Sequence, residues 1–102
     1  MPRVLFTEAA QNDFVDAIEW YQNESPEAAD RFEEAIDEIV QRIEENPRQF
    51  APSSYETRRA VLGRFPYLVI FSERSDSCYV VAVFHTSRDP SIWQGRVSGP
   101  AS

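Results

Sequence analysis

RRAVLGRFPYLVIF (residues 58–71), SERSDS (72–77) and CYVVAVFHTSRDPSIW (78–93) run consecutively and carry the densest β-branched and aromatic content of the chain. The spacing predicts two central strands, Tyr67–Glu73 and Cys78–His85, joined by a short polar turn as an antiparallel hairpin. Both are too apolar on alternate residues to be half exposed, so each face of the sheet should be covered. Thr57–Leu62 reads as a third strand and Gly63–Pro66 as its exit. Arginines precede the hairpin, and its second strand ends on His85, followed by Arg88, Asp89, Pro90 and Trp93. Polar and aromatic side chains gathered at strand ends mark a working surface.

Upstream, Val4, Leu5 and Phe6 form a short apolar run suited to an edge or second strand. Thr7 is a natural N-cap and Glu8 complements the helix dipole behind it. Ala10, Phe14, Ala17, Ile18 and Tyr21 then recur at helical spacing. Asn23 to Pro26 ends that helix and starts another, with Ser25 as cap and Pro26 at the first helical position. Ala28, Phe32, Ala35, Ile36, Ile39 and Ile43 give the second helix its apolar face, and Asn46-Pro47 stops it. Glu27–Arg31 and Glu38–Arg42 sit at the i,i+4 spacing of helical ion pairs. Residues 47–56 read as a loop and 96–102 as a frayed tail, leaving one domain over residues 1–95. The expected fold is α+β: an N-terminal helical hairpin packed on one face of a mostly antiparallel sheet.

The chain has 102 residues and a net charge of −7, unevenly spread. Residues 1–56 hold 14 acidic residues against four arginines, and residues 57–102 hold three against six. The acidic half argues against broad nucleic-acid binding, because long-range steering follows the summed field. The basic half allows local recognition of an anion or acid. One cysteine, Cys78, within a strand, excludes an internal disulfide and suits a reducing, cytoplasmic setting. No signal-peptide or membrane-spanning run stands out. One histidine and one cysteine cannot supply a zinc set, no calcium loop is present, and no glycine-rich loop could cradle phosphate. No metal or cofactor is expected.

Ribonuclease chemistry through the RNA 2′-hydroxyl would need proton carriers and cations for the phosphorane. His85 is the candidate proton carrier, Arg58, Arg59 and Arg64 the candidate phosphate ligands, and Glu56 the nearest carboxylate. Arg58 and Arg59 are adjacent on a strand and point to opposite faces. One can serve a site while the other pairs with the acidic helices. Trp20 lies off the apolar stripe of its helix and is the better candidate for contact with a partner, whereas Tyr21 is in register with the core.

The ordered set of Arg58-Arg59, FPYLVIF at 65–71, a short turn, an apolar strand ending in His85, then Arg88-Asp89-Pro90 and Trp93 resembles the C-terminal half of the RelE/ParE toxins of bacterial type II toxin–antitoxin systems. With the helical half, the resemblance covers roughly residues 3–95. RelE-like nucleases typically place an arginine where Tyr67 stands, and a further catalytic residue close after the strand end, where Thr86 follows His85. The resemblance is therefore closer to the ParE branch. It implies a non-enzymatic, plasmid-stabilisation-type toxin that inhibits DNA gyrase and is neutralised by a cognate antitoxin. Target contacts would fall to Arg58, Arg59, Arg64, Tyr67, His85, Arg88 and Trp93, and antitoxin contact to Trp20. The alternatives are a RelE-like, ribosome-dependent mRNA endoribonuclease using His85 with an arginine, and a non-toxic relative that only binds antitoxin.

Overall fold

A computed structural model describes residues 2–97. The chain runs β1 (Arg3–Phe6), α1 (Glu8–Glu24), α2 (Pro26–Glu45), a 3-10 turn (Pro47–Gln49), β2 (Ala51–Pro52), β3 (Thr57–Val61), β4 (Tyr67–Arg74), β5 (Ser77–His85) and α3 (Ser91–Val97). The strands form one sheet in the order β1-β5-β4-β3-β2, antiparallel throughout except that β1 lies parallel to β5. The caps read from sequence are in place: Thr7 Oγ1 accepts from Ala10 N at 3.2 Å and Ser25 Oγ from Ala28 N at 3.0 Å. Among the described residues, no helix is long and apolar enough to cross a membrane.

The helical hairpin covers one face of the sheet. Phe32, Ile36, Ile39 and Ile43 of α2 and Ala10 and Ala17 of α1 are buried against Ala60, Val69, Phe71, Cys78, Val80 and Val83. The i,i+4 pairs expected on α2 do not close to ion pairs among the described residues. Arg42 instead donates to Gln49 Oε1 at 3.2 Å, and its guanidinium lies 5.0 Å from the Phe50 ring centre.

A β-bulge decides which way the end of β5 faces. Ile70 pairs with Ala82 but Phe71 pairs with Val80, so Val81 is the extra residue. In an uninterrupted strand, Cys78, Val80, Ala82 and Phe84 would share one face and His85 would point away from them. The bulge shifts that phase. Cys78, Val80 and Val83 face the hairpin, while Val81, Ala82 and Phe84 face the opposite side. His85 therefore stands on the hairpin side, opposite Tyr67.

The expectation of a frayed tail from residue 96 is corrected for Arg96 and Val97, which complete α3. Residues 98–102 lie outside the described residues. Asp89 starts the helix by accepting from Ser91 N at 2.9 Å, and that bond holds its carboxyl below the usual range. An Asp-Pro pair just before a helical turn is an N-terminal signature. α3 packs on the far face of the sheet, where Trp93 joins Ile70, Val81, Ala82 and Phe84 with Leu68 and Val97 beside them. The second sheet face thus has a partial cover that the reading of a single helical layer did not include.

Trp93 is 4% exposed. The expectation that it contacts a target is accordingly corrected: its indole fills the core of the far face. Trp93→Ala should cost about 3–5 kcal/mol, the usual range for deleting a buried large aromatic. Urea denaturation followed by far-UV circular dichroism checks this. A loss below about 1 kcal/mol would mean that α3 does not stay docked in solution.

Candidate functional site

At the His85 end of the sheet a cleft of about 430 Å³ opens between α1 and the β5–α3 turn. Asp13, Asp16, Ala17, Trp20 and Tyr21 line one wall, Tyr67, Val83 and His85 the floor, and Pro66, Ser87 and Arg88 the other lip. The α1 residues recur at three- and four-residue spacing and so share a single stripe.

An aromatic cluster holds the floor. Phe32 lies 5.1 Å from Tyr21, 5.3 Å from Phe65 and 5.1 Å from Tyr67, ring centre to ring centre. Tyr21 and Phe65 are 5.2 Å apart, and the His85 ring meets Tyr67 edge-on at 5.0 Å. Such pairs contribute about 0.5–1.5 kcal/mol each beyond their buried area. They fix the cleft in shape, since Tyr21, Tyr67 and His85 cannot turn without disturbing the core under them. Trp20 leans edge-on against Tyr21 at 5.0 Å yet remains 57% exposed. A large aromatic anchored on one edge and open on the other is well suited to contact a partner.

Asp13 secures the wall. β1 ends at Phe6, so the outer edge of β5 beyond Val80 has no neighbouring strand. Asp13 Oδ2 accepts from Val83 N at 3.0 Å and from Arg96 Nη1 at 2.7 Å, and its Oδ1 accepts from Arg96 Nη2 at 3.1 Å. Arg96 Nη1 also donates to Val81 O at 2.9 Å. One ion pair therefore satisfies two backbone groups at the bulged edge and ties α1 to α3. Its side chains are mostly covered, 19% exposed for Asp13 and 27% for Arg96.

Burial pushes the phenol of Tyr67 above its ordinary value, with Tyr21 adding to the rise and Arg88 opposing it. Burial raises Tyr21 in the same sense. The backbone N–H of Ser87 donates to His85 Nδ1 at 3.1 Å, with Ser87 Oγ 2.7 Å from the same nitrogen. The ring hydrogen of the neutral imidazole is thereby placed on Nε2. The tight turn that carries Ser87 is closed by Arg88 N donating to His85 O at 3.0 Å, which sets Arg88 at the lip.

Of the residues singled out from sequence, the structure brings together Trp20, Tyr67, His85 and Arg88. The other arginines stand apart. Arg58 Nη1 donates to Phe50 O at 2.7 Å and its Nε lies 3.7 Å from Glu73, so its anionic partner is on β4 rather than on the helices. Arg59 is exposed on the opposite face, paired with Ile70, about 10 Å along the sheet from Tyr67. Arg64 is exposed in the β3–β4 turn, and Glu56 is exposed at the tip of the β2–β3 hairpin. Neither lines the cleft. Sequence reasoning missed Asp13, Asp16 and Ser87. The stripe at 13, 16, 17, 20 and 21 was the available signal, hidden because acidic residues on a helix usually belong to a solvated face.

The family model of the ParE toxin of type II toxin–antitoxin system, parDE, matches residues 4–90. That span holds the whole cleft and ends one residue before α3. The chain is 27% identical over 90 residues to toxin ParE2 of Mycobacterium tuberculosis in two strains, CDC 1551 / Oshkosh and ATCC 25618 / H37Rv. In each case the alignment covers 87% of this chain and 86% of the relative. Its fold is similar to that of a chain from the chromosomal ParDE TA system from P. aeruginosa, with a TM-score of 0.73 at 21% identity over 83% of this chain and 96% of that one.

Two measurements probe the cleft. Asp13→Asn keeps the side-chain shape but removes the charge, and should lower stability by about 1.5–3 kcal/mol, the scale of hydrogen bonds to charged groups. Chemical denaturation of variant and wild type checks it. A phenol with a raised folded value stabilises the fold fully below the ordinary value of 10.0 and ceases to do so as pH rises through the folded value. Stability should therefore fall above about pH 10, and Tyr67→Phe should flatten that fall. Melting temperatures between pH 8 and 11 would show an equal alkaline loss in both proteins if Tyr67 were not responsible.

Proposed function

Because the chain belongs to the ParE toxins of type II toxin–antitoxin systems, we propose that it arrests growth in the cytoplasm by binding DNA gyrase through this cleft, and that a cognate antitoxin silences it by occupying the same place. The supporting observation is the content of the cleft. Its aromatic floor is flanked by two unlike charges, Asp16 on α1 and Arg88 on the opposite lip, neither in an ion pair among the described residues. Trp20 stands in the same cavity as Tyr67, His85 and Arg88. A ligand seated on the indole therefore covers the surface that a target would need.

A protein segment suits this chemistry better than RNA does. Phosphates need several cations converging on them. Here Arg88 is the one arginine among the described lining residues, with Asp13 and Asp16 across from it. The arginines that a ribonuclease would recruit, Arg58, Arg59 and Arg64, lie elsewhere. ParE2 of M. tuberculosis, a curated relative, is itself named a toxin, which supports a toxic rather than an inert chain.

Induced expression without antitoxin, with gyrase supercoiling measured in parallel, tests the reading. Wild type should slow growth and inhibit supercoiling. Arg88→Glu should weaken both while leaving the melting temperature unchanged, with a loss on the scale of an interface hot spot, about 2 kcal/mol or roughly 30-fold. A wild type that alters neither growth nor supercoiling would overturn the gyrase reading. Codon-dependent mRNA cuts on ribosomes would replace it with a nuclease.

The antitoxin half has its own check. A candidate antitoxin, added at about 100 times its dissociation constant, should stabilise the chain by about 2.7 kcal/mol. Trp20→Ala should reduce that gain.

A further inference from the structure

The face of the sheet that carries α3 holds a second, differently charged surface. Strand pairing places Arg3, Ser77 and Arg74 in one row across β1, β5 and β4, and Leu5, Tyr79, Ser72 and Thr57 in the next. Arg59 follows on β3 beside Ile70. α3 covers only the half nearer His85, through Trp93 and Val97. The other half is open as a groove of about 440 Å³ whose lining includes Ser72, Arg74, Ser77, Tyr79 and Val97, with Asp76 the one acidic residue on its rim among those described.

Arg3, Arg59 and Arg74 are exposed, and none has an ion-pair partner among the described residues. Of the three, Arg74 lines the groove itself, Arg3 and Arg59 stand beside it on the same sheet face, and Arg96, which also lines it, is committed to Asp13. Glu73, the carboxylate next to Arg74 in sequence, points through to the hairpin side, where it meets Arg48 and Arg58 at 3.7 Å. Glu73 thus neutralises arginines on the hairpin side and leaves Arg74 without a carboxylate on the other. Arg3 and Arg74 stand two strands apart, about 10 Å, roughly one Debye length in physiological salt. They can act on one ligand without strongly repelling each other.

We infer that this groove docks an acidic polypeptide segment in extended form. Guanidiniums bind carboxylates bidentately, and the hydroxyls of Ser72, Ser77 and Tyr79, without partners among the described residues, supply further donors between them. Arg59 and Arg74 are offset by four residues along neighbouring strands, about 13 Å, so an extended ligand would present carboxylates about four residues apart on one side. Tyr79, Val81 and Val97 line the groove and give the segment an apolar floor that a phosphate backbone would not use. A polyanion would also meet the repulsion of a chain at −7, whereas a short segment with two or three carboxylates is repelled much less. The inference is independent of the cleft and of the gyrase reading, since no lining residue is shared between the two cavities.

The test is fluorescence anisotropy with the full chain and a labelled peptide of about 12 residues, glutamate at every fourth position and valine and serine between. The same peptide with glutamine, and single-stranded and duplex DNA of similar length, serve as rival probes. The glutamate peptide should bind, and weaken as salt rises. Arg59→Glu combined with Arg74→Glu should reduce its affinity at least about tenfold, the scale of one lost charge-assisted contact. The milder Arg59→Ala with Arg74→Ala pair should give a smaller loss in the same direction, while Trp20→Ala and Arg88→Glu leave binding unchanged. Circular dichroism and melting confirm that the variants fold. Equal binding of the two peptides, tighter binding of either DNA, or retention of affinity in both arginine pairs would overturn the inference. So would sedimentation showing that the surface is taken up by a second copy of the chain.

Discussion

The carboxylate of Asp13 is the point on which the arrangement depends. It bonds a backbone N–H on β5, 70 residues away, and a guanidinium on α3, 83 residues away. Those contacts close a strand edge at the point where a bulge has disturbed the ladder. An edge without a partner is both an energetic cost, through unsatisfied backbone groups, and an invitation to mispairing. Here one side-chain pair covers it. Because Asp13 also lines the cleft, the same interaction that completes the sheet fixes one wall of the site.

The bulge at Val81 is the second requirement, and it was not legible in sequence. The hairpin, its strand ends and the two helices could be read from periodicity and caps, because Phe14, Tyr21, Phe32 and Ile36 recur on a helical period and Ser25-Pro26 punctuates them. CYVVAVF, by contrast, is apolar at every position from 78 to 84. A run with no alternation carries no phase, so a one-residue slip leaves no mark in it. The face that His85 takes follows from that slip alone. The adjacent Arg58 and Arg59 posed the same ambiguity, which the pairing of β3 with β4 resolves: Arg58 turns inward to Phe50 O and Glu73, and Arg59 outward.

The resemblance read from residues 58–93 and the family match agree on a ParE toxin, and the fold agrees with a ParDE chain at low identity. The site was only partly legible. Trp20, Tyr67, His85 and Arg88 converge, but Trp93 is core and the other three arginines are dispersed. A list of functional residue types says little about which face each one takes. Two charged surfaces result instead of one: an aromatic cleft with mixed charge on the hairpin side and an arginine-bearing groove behind it. α3 stands between them, held to both by the Arg96–Asp13 pair.

Trp20 can report whether one cleft serves both toxicity and neutralisation. The chain has two tryptophans, so a Trp93→Phe variant, checked for folding, reports from Trp20 alone. On titration with a candidate antitoxin, its emission should shift to the blue and become shielded from iodide, in step with loss of whatever gyrase inhibition the free chain shows. A complex that forms and restores supercoiling while Trp20 emission and iodide quenching stay as in the free protein would rule out a shared cleft, because neutralisation would then take place elsewhere on the surface.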